Sequence, residues 1–335
     1  MPDRLPVAET AAAAGVHVSV QLAPGDRRET LRRDVLEGLT RTPKTLPPKW
    51  LYDERGSELF AEITRLPEYY LTRRERGILR ERAGEVAART QAQTLVELGS
   101  GTSEKTRFLL DALVAVGTLR RFVAIDVSEE TLRESAARIA SRYAALDVQA
   151  VVGDLERHLD RLPVGGRTLI AFLGSSIGNF PPAARSAFLQ GLRELVASGG
   201  WLLLGLDLVK DPGRLLAAYD DPGGVTAAFN RNVLEVVNRE LGADFPPDRF
   251  AHVARWDAEN EWMELCLRSL DARVVRIRDL RLEVEFARGE ELHTEISAKF
   301  RRGRAEAELA RAGFDPAAWW TDAAGDFALS LARTA

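Results

Sequence analysis

The chain has 335 residues, 45% of them hydrophobic and 29% charged, the balance of a soluble globular protein with length for about two domains. A net charge of −4 argues against nucleic acid as the main partner, and the single cysteine, Cys266, excludes an internal disulfide framework and fits a reducing compartment. No stretch approaches the ~18 consecutive apolar residues of a membrane span, and Asp3, Arg4 and Glu9 stand where a signal peptide would be apolar, so a cytoplasmic protein is expected.

Residues 1–20 read as a flexible tail with a short strand around His17 to Val20. Leu31, Val35, Leu36 and Leu39 recur at helical spacing, which predicts a helix from Arg27 to Leu39 that stops before Pro43, Pro47 and Pro48. The following segment is rich in large side chains. Trp50, Leu51, Leu59, Phe60 and Ile63 can form a buried stripe, whereas Tyr52, Tyr69 and Tyr70 each carry a hydroxyl that needs a partner. These tyrosines are either half-buried packing residues or parts of a site. A helix from Arg73 to Ala88 is expected next.

The stretch LVELGSGTSEKT, Leu95 to Thr106, reads as a strand feeding a tight glycine turn under a ligand. A dinucleotide fingerprint would carry a third glycine where Glu104 stands, so a nicotinamide oxidoreductase is disfavoured. Glu97 before the turn suits a cationic ligand better than a phosphate, and S-adenosylmethionine carries such charge. Four further strands alternate with helices. The second, Phe122 to Ile125, runs into Asp126, where a ribose would be held through its hydroxyls, although Asp126 could equally be a helix cap. The third ends in Asp154, an acceptor suited to an adenine amino group. The fourth, TLIAFLGSS, opens onto Gly174, Ser175, Ser176, Gly178 and Asn179, and the fifth is WLLLGLDLV. This alternation implies a parallel, doubly wound sheet.

From Lys210 the pattern changes. A helix containing Tyr219, a longer one through Asn230 to Leu241, a polar DFPPD loop and two strands, Glu261 to Leu270 and Arg281 to Ala287, form a block too long for a loop. LHTEISAKF, a helix from Ala305 to Ala312 and the strands around WWTD and FALSLA close the chain. Cys266 sits between Leu265 and Leu267 and reads as buried. His252 and His293 lack an HxxxH or cysteine-pair context, so no metal is expected.

Six blocks taken in order, TPKTLPPKWLYDERGSELFAEITRLPEYYLTRRE, LVELGSGTSEKT, FLGSSIGNF, DLVKDPGRLLAAYDD, AAFNRNVLEVVNRELGADF and TEISAKF, resemble the L-histidine Nα-methyltransferases of ergothioneine biosynthesis. That family converts histidine to its trimethylated betaine, hercynine, with three molecules of S-adenosylmethionine leaving as S-adenosylhomocysteine. The resemblance implies that Gly99, Lys105, Asp126, Asp154 and Leu155 line the cofactor site. It implies likewise that Tyr52, Tyr69, Asn179, Tyr219, Glu295 and Ser297 surround the amino acid. One departure stands at Leu265, where the family pattern usually has Met, a volume-conserving change. The substrates implied are histidine and its mono- and dimethyl intermediates; another amino acid or small amine, such as tryptophan, is the alternative acceptor.

The residue types suit that chemistry. A neutral imidazole has one donor and one acceptor nitrogen. Glu295 and Ser297, two apart on a strand, share a face and can supply the complementary acceptor and donor. Asn179 and Tyr219 offer donors to a carboxylate. No general base is assigned, because an α-amine with a pKa of roughly 8 keeps a usable neutral fraction near pH 7. The expectation is a monomeric α/β protein, a Rossmann-like class I methyltransferase with a second, smaller α+β domain. Residues 73–209 and 299–335 would bind the cofactor, and residues 21–72 and 210–298 the substrate.

Overall fold

The computed structural model describes residues 15–21, 25–196 and 199–335. The N-terminal part contributes β1 (Val16–Val20), α1 (Asp26–Thr40), β2 (Lys44–Thr45), α2 (Glu54–Ile63) and α3 (Leu71–Thr90). An alternating series follows: β3 (Thr94–Leu98), α4 (Arg107–Val116), β4 (Arg121–Asp126), α5 (Glu129–Arg142), β5 (Asp147–Val152), β6 (Thr168–Phe172), α6 (Pro182–Leu195) and β7 (Trp201–Asp207). Next come α7 (Pro212–Tyr219), α8 (Val225–Leu241), β8 (Phe250–Asp257), β9 (Trp262–Ser269), β10 (Arg273–Ile277), β11 (Leu282–Phe286) and β12 (Glu291–Ala298). The chain closes with α9 (Arg302–Arg311), β13 (Phe314–Thr321) and β14 (Phe327–Thr334).

Eight strands form one sheet in the order β1-β5-β4-β3-β6-β7-β14-β13. The six from β1 to β7 run parallel, and β14 and β13 add antiparallel edges. Every residue of β3 and β6 is buried, as continuous apolar strands covered on both faces must be. Within the tail expected over residues 1–20, the strand expected around His17 to Val20 is present as Val16–Val20, which pairs in register with Val148–Val152 at the sheet edge; residues 1–14 lie outside the described part.

A second sheet has the order β2-β12-β9-β8, and β10 and β11 form a separate hairpin. Strands β8 and β10 escape sequence reading because FAHVARWD and RVVRI intersperse charged residues on partly exposed edges. A bulge in β12 between His293 and Glu295 resets the ladder. Glu295 therefore pairs with Leu265 and Ser297 with Met263 on one face, while His293 pairs with Cys266 on the other.

Helix α8 begins at Val225, earlier than the apolar spacing alone suggests, since the Asp221 carboxylate accepts from the amides of Val225 and Thr226 at 3.0 and 2.7 Å. Asp53 caps α2 by accepting from Gly56 N at 2.8 Å and also takes Asn232 Nδ2 of α8 at 2.6 Å, locking these helices together beside Tyr52. The order reverses around β3, whose successor β4 lies on one side and β6 on the other. This is the switch point at which open α/β sheets bind ligands, outside the carboxyl ends of the strands. Past β12 the chain crosses to that edge: Phe300 N donates to Asp207 O at 2.8 Å, and Val209 N to Phe300 O at 3.1 Å. The second sheet is thus stitched to the first at the end of β7. Among the described residues no helix is long and apolar enough to cross a membrane.

Candidate active site

The turn after β3 takes its shape from two glycines with left-handed backbones, Gly99 at φ 62° and Gly101 at φ 47°. A Cβ on Gly101 would meet nothing within 4 Å, and one on Gly99 would meet only Leu155 Cδ1, at 3.9 Å, so open space lies against this backbone. Asp126, at the end of β4, accepts from Gly101 N at 2.8 Å and from Ser128 N at 3.0 Å, and burial raises its pKa against the pull of those amides. It both shapes the glycine turn and steadies the start of α5. Glu97 has a different position from the ligand-facing one its sequence context suggests. It is buried, takes the hydroxyls of Ser103 at 2.7 Å and of Thr106, and braces the turn from within; burial pushes its carboxyl up to about 7 despite those two donors.

Lys105 reaches across to the fully buried Glu75 of α3, which accepts from Gly174 N at 2.7 Å with its other oxygen. Asp154 accepts from Lys49 Nζ at 3.1 Å and from Glu156 N at 2.9 Å, and with Lys49, Trp50 and Val127 it lines a small recess. Gly99, Lys105, Asp126, Asp154 and Leu155 are thus all gathered along the carboxyl edge of β3, β4 and β5.

Facing them is an aromatic and polar cluster. The Tyr52 ring packs edge-on against Phe60 at 5.4 Å and Phe229 at 5.2 Å, and the Tyr69 ring against Tyr219 at 6.4 Å. The hydroxyls of Tyr52 and Tyr69 make no hydrogen bond with another described residue, nor are they sealed from the surroundings. Burial, reinforced at Tyr52 by the Glu295 carboxylate and at Tyr69 by Tyr219, holds both phenols well above their ordinary pKa, so they stay protonated. Their neighbour Tyr70 differs: its hydroxyl donates to both oxygens of Asp207 at 3.0 Å, which makes it part of the scaffold.

Asn179 ends a 3₁₀ turn, Ser176–Asn179, that presses onto β12. A Cβ on Gly178 would stand 2.8 Å from Ala298 O, so glycine permits this approach. Asn179 Nδ2 then donates to Glu295 Oε1 at 2.9 Å. Asn179 is therefore spent in part on Glu295, where sequence reasoning had it facing a carboxylate. Burial pushes the Glu295 carboxyl up to about 7, with Lys299 and Asn179 pulling it back. The hydroxyls of Tyr219 and Ser297 lie 2.8 Å apart.

Beneath them is a group that sequence reasoning missed. Lys299, fully buried, donates to Tyr219 Oη at 2.8 Å and Ser297 Oγ at 2.7 Å and pairs with Asp207 Oδ2 at 3.0 Å. Asp207 is also fully buried and bonds Lys210. The signal was present as an alternation of Glu295, Ser297 and Lys299 against Ile296, Ala298 and Phe300, a polar face on an otherwise buried segment. On the opposite face of β12, Glu264, Cys266 and His293 bring ligand-type atoms within 4.8 Å of one another. The Arg255 guanidinium already lies among them, 2.8 Å from Glu264 Oε2 and 3.4 Å from Cys266 Sγ, and burial pushes that thiol up to about 12.

A glycine turn with open space beside it and acids at consecutive strand ends, faced by an aromatic and polar cluster, suits a nucleoside-type ligand. The family model described as "Histidine-specific methyltransferase, SAM-dependent" matches residues 31–334. The chain belongs to this family.

Among similar proteins, a histidine N-alpha-methyltransferase of Mycolicibacterium smegmatis is 57% identical over 311 residues, covering 93% of this chain and 97% of that one. That of Mycobacterium tuberculosis is 58% identical over 302 residues, 90% and 94% of the two chains. Ergothioneine biosynthesis protein 1 of Neurospora crassa is 36% identical over 205 residues, 60% of this chain and 23% of that longer one. As a methyltransferase of this family the protein depends on S-adenosylmethionine, and the donor-side geometry accommodates it. The open space at Gly99 and Gly101 admits a close ligand, and Asp126 at the end of β4 stands where ribose hydroxyls are held in such sheets.

Proposed function

We propose that this methyltransferase trimethylates the α-amino group of L-histidine to hercynine, the first step of ergothioneine biosynthesis. The observation that carries the reading is the paired corner at Glu295 and Ser297. One Glu295 oxygen is taken by Asn179, which leaves the other to accept, while of the mutually bonded Ser297 and Tyr219 hydroxyls one keeps its hydrogen to donate. One acceptor beside one donor matches a neutral imidazole and mismatches an indole, which only donates. The names of the Mycolicibacterium smegmatis and Mycobacterium tuberculosis relatives point the same way.

In this reading Gly99, Lys105, Asp126, Asp154 and Leu155 hold the cofactor. Tyr52, Tyr69, Asn179, Tyr219, Glu295 and Ser297 hold the amino acid. The cofactor supplies an electrophilic methyl group, so the protein has chiefly to align an amine with it. Glu295 and Ser297 fix the ring, the aromatic walls of Tyr52 and Tyr69 exclude water, and the amine is left free to turn between successive transfers. Tyr52 and Tyr69, held protonated by burial, are unsuited to be bases. The α-amine, with a pKa of roughly 8, needs none of greater strength. Residues 73–209 and 299–335 serve the methyl donor and residues 21–72 and 210–298 the acceptor, in a monomeric cytoplasmic enzyme; a sedimentation mass near twice that of the chain would refute the monomer.

The test is purified protein with S-adenosylmethionine and a panel of histidine, tryptophan, tyrosine and histamine, read by mass spectrometry. Histidine gaining three methyl groups is expected. Preference for tryptophan, or no turnover of histidine, refutes the proposal.

A further inference from the structure

Lys299 has no counterpart among the residues that sequence reasoning placed near the substrate, yet it touches two of them. A protonated lysine has three N–H donors and no acceptor. Here they point to Tyr219 Oη, Ser297 Oγ and Asp207 Oδ2, at 2.8, 2.7 and 3.0 Å, and the side chain is fully buried. No ammonium hydrogen is left for a ligand. The Tyr219 and Ser297 oxygens are 2.8 Å apart, so one hydroxyl donates to the other. The hydroxyl that receives this bond also receives one from Lys299. Both of its lone pairs are then occupied and its own hydrogen is free, so it can only donate, while its neighbour, whose hydrogen is spent, keeps a single lone pair.

We propose that Lys299 is a positioning residue that fills two of the three lone pairs this corner would otherwise offer, biases it towards donation, and thereby favours substrate side chains whose ring presents a lone pair there. The inference rests on the histidine reading and deepens it. Without the ammonium, each hydroxyl regains a lone pair, and the corner can accept from a ring N–H as readily as it donates to a ring nitrogen. Asp207 is held from its other side by Lys210 and Tyr70, so the anion that orients Lys299 does not depend on it alone.

Two analogues separate the ring's edges. Thiazol-4-ylalanine has a ring acceptor and no N–H, whereas pyrrol-2-ylalanine has a ring N–H and no free lone pair. Initial rates of α-amine methylation, read by mass spectrometry, give kcat/KM for both and for histidine. The Glu295 carboxylate is common to parent and variant, so the quantity read is the change in the thiazole-to-pyrrole ratio between them. In Lys299→Met that ratio should fall about tenfold, the value of one well-made polar contact, and histidine should lose about tenfold, with S-adenosylhomocysteine affinity by calorimetry unchanged within about twofold. A ratio preserved in Lys299→Met, or cofactor affinity falling in step with histidine use, overturns the proposal. If Lys299→Met does not fold, Lys299→Gln, which keeps a polar group against Asp207, carries the same comparison, and a preserved ratio there overturns the proposal. A parent that leaves histidine unmethylated refutes the proposed function itself, a separate outcome.

Discussion

Replacing Glu295 with glutamine should make the ligand-free protein more stable and a poorer enzyme, with both effects traceable to one buried carboxylate. Burial raises the Glu295 carboxyl from its ordinary 4.5 to about 7, so keeping it ionised in the folded state costs about 3 kcal/mol at roughly 1.4 kcal/mol per pH unit. The sign follows from linkage. A raised folded-state pKa means that the folded protein holds the proton more tightly, so its contribution to stability is fully present below pH 4.5 and is lost as pH rises through about 7. Glutamine does not titrate. The stability of Glu295→Gln minus that of the parent should therefore grow by about 3 kcal/mol between pH 4.5 and 8.5. Glu97 shifts in the same direction but is common to both proteins and cancels.

Urea denaturation of both proteins across that range, without cofactor or amino acid, measures the difference. A difference flat with pH, or one that falls, refutes the assigned shift. On the catalytic side, the carbonyl of the introduced glutamine would satisfy Asn179, and its amide would turn an N–H donor towards the ring, where an acceptor is needed. Loss of a charge-assisted hydrogen bond, worth roughly 1.5–3 kcal/mol, predicts a fall in kcat/KM for histidine of about 10- to 100-fold. Unchanged histidine kinetics would remove Glu295 from the ring contact whatever the denaturation curves show.

Asn179→Ala removes a donor that pulls the Glu295 carboxyl down, so the acid limb of the kcat/KM profile for histidine should move to higher pH; a limb that stays or moves down contradicts the coupling. Asp126→Asn should weaken S-adenosylhomocysteine binding by about tenfold in calorimetry, since the charged acceptor proposed for the ribose hydroxyls becomes neutral. Its histidine KM at saturating cofactor should change little, and equal losses at both ends would mean that the turn has collapsed. Asp53→Ala deletes the cap of α2 and the bond to Asn232, for a stability loss of about 1–2 kcal/mol in urea melts. Because Tyr52 immediately precedes it, histidine KM should rise as well, and a variant of parental stability would discount the cap.

The central sheet was legible because its physics is local. β3 and β6 are buried at every position since helices cover both faces, and turns rich in glycine or ending in an acid mark the strand ends where ligands bind. The strands that escaped are those whose burial is decided elsewhere. β8 and β10 mix charge with valine and alanine and gain strand character from their partners β9 and β11, a pairing that no window of sequence contains.

The site divides along the same line. Gly99, Asp126 and Asn179 announce themselves by standing at strand ends, whereas Glu75 hides in the charged run TRRERG and Lys299 in SAKF, where solvated charges are the ordinary reading. What makes Glu75 and Lys299 special is a partner distant in sequence: Lys105 for the first, and Asp207 and Tyr219 for the second. A buried charge without a partner is costly enough that the fold must supply one. Asp207 at the end of β7 therefore ties the substrate corner to the cofactor-binding sheet, through Lys299 on one side and Lys210 and Tyr70 on the other. Asp207→Asn would leave two buried ammonium groups sharing a neutral acceptor, for which a loss of roughly 3–5 kcal/mol is the scale. The disruption should register as weaker histidine binding before it registers in the cofactor, because Lys299 reaches Ser297 and Tyr219 directly, while Lys105 is held independently by Glu75.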